Sequence, residues 1–466
     1  MAVLAGLLIL ATAWLFQILH RAYSTPLRQI PGPWYAPFTH LVLKAQVLQG
    51  RRLHYIHDLH ERYGPIVRIA PKEVAISDFD AFSEIHRINS GYHKTLWYEM
   101  VNNQEVPGIF AIRDPKQHAQ RRRLLARGFS KSYLKEYWED SIREKAELAV
   151  AKIKRDATKG SADILKWWTF YTTDKNQYMR AVELNLFAGG MHAEFPIMWD
   201  VIWSICNYLP LQSLRQLFHY QEYTMEYASR AVNNSKSQDG NTKTIFSTII
   251  AEAGKEDTPL TDKQVKLEAG NMIVAGSDTT AVTLTYLIWA VLKKPELRKD
   301  LEEEVRELKE DFTDTDLETL PLLNATIEEA LRLYSAAPAS LPRQTPANGA
   351  TLCRYKLPGN ITVCTQAYTI HRDPNMFSDP DNFDPTRFLH PETLPPNSSA
   401  ALHPFGAGSR ICLGIHLART ELRLATALFF RECVGARLAG TTTDESMEME
   451  NFFLIQPKAH RCEIVL

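Results

Sequence analysis

Phe405-Gly-Ala-Gly-Ser-Arg-Ile-Cys-Leu-Gly414, near the C-terminal end of the chain, places one cysteine inside a glycine-rich turn. Glycine lets the backbone fold closely around the sulfur of Cys412, with N–H groups pointing at it. Such N–H groups and a nearby cation favour the thiolate, which is a strong and soft ligand for iron. Arg410 supplies a fixed positive charge that suits a carboxylate, and Phe405 can pack on a ring. The stretch therefore predicts a metal-binding cysteine rather than a structural one.

Length and composition are those of a globular protein with a large core. The chain has 466 residues, of which 45% are apolar and 23% are charged, and its formal net charge is −1. This charge gives no indication of nucleic-acid binding. The six cysteines are sparse, and no two of them form a Cys-x-x-Cys pair. That spacing argues against a zinc ribbon or a disulfide scaffold, and for a reducing compartment.

The N-terminus predicts a membrane anchor at residues 1–20, followed by a Pro-rich hinge at 21–34. Residues 2–19 carry no charge, and as a helix they would span roughly 27 Å, which is near the thickness of a bilayer core. His20 and Arg21 follow at once, so the positive-inside rule places the N-terminus in the lumen and the remainder in the cytosol. The alternative is a cleaved signal peptide, but no basic residue precedes the apolar run.

Hydrophobic patterning over residues 35–466 predicts one catalytic domain that is mainly α with a small β portion. Helices are predicted at 52–63 and at 295–309, where apolar residues form one stripe. A strand pair around a turn is predicted within residues 66–77, and short strands are predicted within residues 355–369. Residues 373–399 are rich in Pro, Asp and Asn, which is typical of an irregular meander.

Residues 269–292 predict a long buried helix with a polar centre, Gly276-Ser-Asp-Thr-Thr280. A charge such as Asp278 at a bilayer centre costs roughly 2.5–3.5 kcal/mol, so we do not predict a second membrane span. A helix with Gly next to an acid and an alcohol can open locally, and Thr279 can then bond a carbonyl or a water. The acid and the hydroxyl can relay protons. The alternative is a polar patch that only bends the helix.

Glu329-Ala-Leu-Arg332 places an acid and a base three residues apart, on one helix face. Glu303-Glu-Val-Arg306 has the same spacing and is interpreted as a solvated pair. Glu329 instead lies in the apolar run 327–333, and Phe383-Asp-Pro-Thr-Arg-Phe388 follows in the meander. This context favours a buried pair.

Together these motifs resemble the cytochrome P-450 haem-thiolate monooxygenases and follow that family's order along the chain. The resemblance implies the cytochrome P-450 fold, with Cys412 as the proximal thiolate ligand of haem b, where it favours O–O cleavage. It also implies that Ala275 and Gly276 lie beside the haem face. Asp278 and Thr279 are then expected to be catalytic, delivering protons to dioxygen.

The resemblance assigns further residues to the haem propionates. Arg410 and Arg343 fall where the family places propionate partners. Arg122 and His118 lie four residues apart on one helix face, although the family commonly has Trp in place of His118. Phe405 is expected to pack on the haem.

The resemblance also makes Glu329, Arg332 and Arg387 a buried ion triad that supports the haem loop, a structural rather than a catalytic role. Two further arginines of the Arg-rich segment, Arg121 and Arg123, are interpreted together with Arg127 as solvated charge. Docking of an acidic electron-donor protein is the alternative for these three.

The implied activity is insertion of one oxygen atom from O₂ into an apolar small molecule, with electrons from NADPH through NADPH–cytochrome reductase. The substrate pocket is expected between the long helix and residues 96–110, 337–341 and 452–454. Residues 163–168 and 275–287 look most like microsomal enzymes of filamentous fungi. This likeness implies an endoplasmic reticulum membrane protein of secondary metabolism with its catalytic domain in the cytosol.

Two alternatives stay open from the sequence. A haem-thiolate isomerase or dehydratase would use the same cysteine loop without a proton relay. A non-catalytic or defective haem-binding form is the other, because about one helix of the family pattern is absent near residues 174–176.

Overall fold

The structure is a computed structural model that describes residues 2–102, 104–173, 187–208, 220–237, 247–248, 251 and 260–466. Its helices in chain order are α1 Ala2–Tyr23, α2 Leu41–Leu48, α3 Arg52–Tyr63, α4 Phe79–His86, α5 Trp97–Asn102, α6 Pro115–Ala126, α7 Lys131–Tyr137, α8 Glu139–Thr158, α9 Ile164–Thr173, α10 Pro196–Tyr208, α11 Tyr220–Ser237, α12 Asp262–Leu292, α13 Pro295–Arg306, α14 Asp314–Leu317, α15 Pro321–Tyr334, α16 Ala367–Ile370, α17 Thr386–Leu389, α18 Ser398–Ala401 and α19 Ile415–Glu432. Its strands are β1 Ile66–Ala70, β2 Glu73–Ile76, β3 His93–Lys94, β4 Ala162–Asp163, β5 Arg343–Gln344, β6 Ala350–Leu352, β7 Tyr355–Leu357, β8 Thr362–Thr365, β9 Arg437–Leu438, β10 Met449–Asn451, β11 Ile455–Pro457 and β12 Glu463–Val465. The possible gap near 174–176 lies outside the described residues.

The chain groups into two compact units. The first, which we call the strand unit, consists of Met1–Trp97, Ala339–Ile370 and Ala407–Arg410. The second, the helical unit, consists of Tyr98–Pro338, His371–Gly406 and Ile411–Leu466. The mainly helical architecture with a small β portion confirms the fold class predicted from the sequence.

A five-stranded sheet with the order β1-β2-β8-β5-β3 forms the centre of the strand unit. Strands β2 and β8 run parallel, and the other neighbours run antiparallel. Because side chains alternate between the two faces of a strand, Ile66 and Val74 pack in one apolar cluster while Val67 and Ala75 pack in another. The β1–β2 hairpin confirms the predicted strand pair, and both of its faces are buried.

Helix α12 runs for 31 residues through the helical unit. Its start is a capping box: the hydroxyl of Thr261 accepts the N–H of Gln264 at 3.3 Å, and the Gln264 side chain accepts the N–H of Thr261 at 2.9 Å. Residues 280–288 are buried, and helices α9 and α11 pack against α12. This confirms the long buried helix predicted from the sequence, which we call the distal helix.

Two details differ from the sequence predictions. The distal helix stays α-helical through Gly276–Thr280, so the predicted local opening is not seen. The chain forms the short helix α16 where the sequence predicts strand, because the side chain of Gln366 donates to the hydroxyl of Thr369 at 2.6 Å and closes a turn directly after β8.

Helix α1 occupies the N-terminal apolar run. A membrane span needs about 20 consecutive, mostly apolar residues. Among the residues that the structure describes, no helix is long and apolar enough to cross a membrane. The transmembrane part of the sequence prediction is therefore not supported.

Candidate functional site

The cysteine loop adopts a conformation that requires glycine. Gly406 and Gly408 have φ angles of 74° and 63°, in the left-handed region that side chains rarely adopt. Within the strand unit, a Cβ on Gly408 would also overlap the carbonyl oxygen of His86. Within the helical unit, the N–H of Cys412 donates to the carbonyl of Phe405 at 2.9 Å, which closes the turn.

The thiol of Cys412 is exposed, so it is open to a ligand. Surrounding protein atoms remove part of its water and raise the pKa of Cys412, while the N–H of Gly414 and the charge of Arg122 oppose that rise. Arg122 is held in place by a bond from its Nη1 to the carbonyl of Ile411 at 2.7 Å. His118, one turn earlier on the same helix, is buried. The loop therefore presents a sulfur with a positive charge nearby.

The distal helix has an open side in the middle of its length. Ala275 and Gly276 are exposed, whereas residues 280–288 are buried. Apart from the chain neighbours of Gly276 and the backbone of its own helix, no described atom lies within 4 Å of the position that a Cβ there would take. Asp278 and Thr279 follow directly and are partly buried, and the hydroxyl of Thr279 donates to the carbonyl of Ala275 at 2.8 Å. The helix thus leaves room for a flat group beside an acid and an alcohol.

A second carboxylate in this region was missed by the sequence predictions. The hydroxyl of Thr280 donates to Glu421 at 2.8 Å. Glu421 lies in α19, the helix that follows the cysteine loop. Burial raises the pKa of Glu421 to about 7, and the bond from Thr280 and the charge of Lys145 oppose that rise. The sequence carries no local signal for this contact, because Thr280 and Glu421 are 141 residues apart.

The strand unit brings together three basic side chains. Lys94 lies in β3 directly opposite Arg343 in β5, and both are buried. Burial lowers the pKa of Lys94 well below its ordinary value, and the charges of Arg343 and Arg410 lower it further. An anion such as a carboxylate beside these side chains would favour their charged forms. Lys94 has no sequence signal of its own, because only the strand register brings it to Arg343.

The three residues of the predicted ion triad meet in the helical unit. Arg332 donates to the two oxygens of Glu329 at 2.7 and 2.8 Å, and Arg387 donates to Glu329 at 3.2 Å. The N–H of Asp384 adds a bond of 2.7 Å to the same carboxylate. Arg332 also donates to the carbonyl of His371 at 2.7 Å, so the triad ties helix α15 to the meander.

Arg121 differs from its predicted role as solvated charge. Its guanidinium pairs with Glu268, which is fully buried in the distal helix. The sequence prediction is wrong here because the partner lies 147 residues away along the chain. Arg123 and Arg127 are exposed, as the prediction expects.

Two of the predicted pocket segments meet in the helical unit. The ring of Phe110 lies 5.9 Å from that of Phe453 and 5.3 Å from that of Tyr98. The remaining segment, 337–341, is divided between the two units after Pro338.

The mainly helical fold and the exposed cysteine in a glycine turn agree with the haem-thiolate class that the sequence resembles. The comparisons agree with this class. The cytochrome P-450 family model matches residues 30–463. The chain is 41% identical to the cytochrome P-450 monooxygenase stcB of Emericella nidulans, over 97% of this chain and 90% of that protein. It is 39% identical to the cytochrome P-450 monooxygenase aflV of Aspergillus parasiticus, over 97% of this chain and 95% of the relative.

A comparison with solved structures supports the same fold. The retinoic acid-bound cyanobacterial CYP120A1 superimposes with a TM-score of 0.75 at 18% identity, over 93% of this chain and 98% of that one. This likeness shows the fold. The chain belongs to the cytochrome P-450 family, as the motifs of its sequence indicate. It is a haem-dependent monooxygenase, an oxidoreductase that incorporates oxygen from O₂.

Proposed function

We propose that this monooxygenase oxidises an apolar small molecule of fungal secondary metabolism, with electrons supplied by NADPH through a reductase. The observation that carries the proposal is the open side of the distal helix at Ala275–Gly276, next to Asp278 and Thr279. An isomerase or dehydratase needs no proton relay, so the acid and the alcohol favour oxygen chemistry. The similarity to fungal monooxygenases supports the same choice.

The cofactor would be haem b, held through the thiolate of Cys412, with Phe405 packed against it. The residues present fit this group, because Cys412 is exposed and Arg122 places a positive charge near its sulfur. As the family resemblance implies, Arg122, His118, Arg343 and Arg410 would bind the propionates. Bound haem supplies the reductive activation of dioxygen that the protein alone cannot perform.

Side chains around the distal helix would hold protons and transfer them. The hydroxyl of Thr279 donates to the Ala275 carbonyl, so a rotation of one side chain is enough to turn that donor toward a ligand. Asp278, next to it, can replace the proton that Thr279 gives. Since the pKa of Glu421 is raised to about 7, its carboxyl group can hold a proton near neutral pH beside Thr280.

A carbon monoxide difference spectrum of the reduced protein tests this function. We expect the absorbance band of thiolate-ligated ferrous haem in the full-length protein, and its complete loss in Cys412→Ala. Cys433→Ala, which alters a cysteine buried away from the loop, is the matched control and keeps the band. Absence of the band from the wild-type protein would refute haem-thiolate chemistry.

Turnover with a reductase then separates the monooxygenase from its alternatives. We expect product formation to need NADPH and O₂, with one ¹⁸O atom from ¹⁸O₂ in the product. Conversion without NADPH would support an isomerase or dehydratase instead. Product analysis in cells that express the chain with a reductase would identify the substrate.

We also propose that the protein resides at the endoplasmic reticulum membrane, with its catalytic portion in the cytosol. Helix α1 exposes large apolar side chains, including Leu10, Trp14 and Phe16 at 65–70% exposure. Apolar surface of this kind is attracted to a lipid interface. A fluorescent fusion should co-localise with a reticulum marker, and deletion of residues 1–23 should release it. An unchanged distribution after the deletion would contradict the proposal that helix α1 holds the protein at this membrane.

A further inference from the structure

A buried carboxylate holds a loop of the helical unit against the distal helix. Glu268 is 0% exposed. Its oxygens accept the N–H of Ile109 at 3.0 and 3.2 Å, and it pairs with the guanidinium of Arg121. Burial raises the pKa of Glu268, whereas Arg121 and the N–H of Ile109 oppose that rise. A buried carboxylate is tolerated only with such donors, so each of them is held to it.

The same loop meets the distal helix at two further points. Gln104 and Asn271 exchange bonds between their side-chain amides at 3.0 and 3.3 Å. Gly108 lies so close to the helix that a Cβ there would overlap the side chain of Asn271 and come within 3.2 Å of Glu268. Residues 104–109 are therefore seated directly on one stretch of the distal helix.

The loop continues into the wall of the expected substrate pocket. Phe110 follows Ile109 and packs on Tyr98 and Phe453. Glu268 precedes Ala275 by seven residues, which is about two helical turns, or roughly 10 Å along the axis. Residues seven apart share a helix face. Glu268 therefore lies on the side of the helix that is open at Ala275.

We propose that Glu268 and Arg121 are positioning residues for substrate selection. They form a latch that fixes residues 104–109 on the distal helix and so holds Phe110 at one place in the pocket wall. The latch thereby sets the size of apolar ligand that the enzyme accepts. This inference rests on the proposed function and deepens it.

Two substitutions of Glu268 separate the effect of its charge from the effect of its hydrogen bond with Ile109. Glu268→Leu removes both the charge and the acceptor for Ile109, whereas Glu268→Gln keeps an acceptor oxygen and removes only the charge. Glu302→Gln is the matched control, because Glu302 is also buried, accepts the N–H of Gly435 at 2.9 Å and lies 3.4 Å from Arg298.

Imidazole and 4-phenylimidazole serve as a small and a large probe of the haem-loaded, full-length protein, with dissociation constants read from the shift of the Soret band. If the pocket wall at Phe110 is held less firmly, the dissociation constant of the large probe changes and that of the small probe stays the same. We expect the ratio of the two constants to change about tenfold in Glu268→Leu and about threefold in Glu268→Gln, with no change in Glu302→Gln.

Hydrogen–deuterium exchange of peptides that cover residues 104–112 gives a readout that needs no haem. We expect exchange there to be about tenfold faster in Glu268→Leu and clearly faster in Glu268→Gln than in the wild type. If Glu268→Leu does not fold, the exchange rates of Glu268→Gln alone test the proposal.

The proposal is overturned if both readouts stay unchanged in the Glu268 variants that fold, or if Glu302→Gln changes them equally. Failure of the wild-type protein to bind haem would refute the proposed function, while the exchange data would still show whether the latch holds the loop.

Discussion

Glu329 and Glu421 are two carboxylates inside the helical unit with different surroundings. Glu329 accepts bonds from the guanidinium groups of Arg332 and Arg387 and from one backbone N–H. Glu421 accepts the neutral hydroxyl of Thr280, and its pKa is raised to about 7. Charged donors make a buried carboxylate a structural anion, whereas a neutral donor leaves it able to exchange a proton near neutral pH. The kind of donor, rather than burial itself, therefore decides whether a carboxylate supports the fold or can exchange a proton.

The largest effect should come from breaking the triad. Arg332→Leu leaves Glu329 without its main partner, and removing one member of a buried ion pair costs about 3–5 kcal/mol of the free energy of unfolding. Urea unfolding measures the loss. Arg306→Leu is the control, since it alters an exposed arginine with the same spacing from an acid, and we expect a change below about 0.5 kcal/mol. Equal losses in the two variants would contradict a special role for the triad.

Glu421→Gln should remove a pH dependence of stability. Because the folded protein raises the pKa of Glu421 from 4.5 to about 7, it binds the proton more tightly than the unfolded chain does. The contribution of this group to stability is therefore full below pH 4.5 and is lost as the pH rises through 7. We expect Glu421→Gln to gain roughly 2–3 kcal/mol relative to the wild type between pH 5 and pH 8. Urea unfolding at several pH values measures this, and parallel curves for the two proteins would contradict the assignment.

Thr280→Val should have the smallest effect. It removes one hydroxyl from Glu421 while keeping the shape of the side chain, and loss of such a bond costs about 1 kcal/mol. The bond lowers the pKa of Glu421, so its removal should also shift the pH transition of stability upward. Thr280→Ser keeps the hydroxyl and serves as the control. A transition at the same pH in both variants would show that Thr280 does not set the proton affinity of Glu421.

Local sequence signals predicted the elements that depend on near neighbours. Two apolar stretches around a turn within 66–77 predicted the β1–β2 hairpin, and the apolar run 269–292 with its polar centre predicted the distal helix. The pair Glu329 and Arg332 was also predicted, since its members are three residues apart on one helix face. In each case the physical cause acts over a few residues, so the sequence displays it directly.

Contacts between distant residues escaped prediction. Thr280 and Glu421 are 141 residues apart, and Arg121 and Glu268 are 147 apart. No local pattern distinguishes Glu268 or Glu421 from a solvated acid, because the nearest donors come from other elements. Lys94 likewise joins Arg343 only through the pairing of β3 with β5.

The sequence alone was sufficient to predict the mainly helical class and the long helix with its polar centre, and to single out the glycine turn around Cys412. Their physical causes are glycine conformations, helix caps and residue spacing, which are local. The tertiary structure decided which buried charges are neutralised, which carboxyl group can hold a proton and which loop is fastened to the distal helix. Those properties depend on desolvation and on donors brought together by packing, so they exist only in the folded chain.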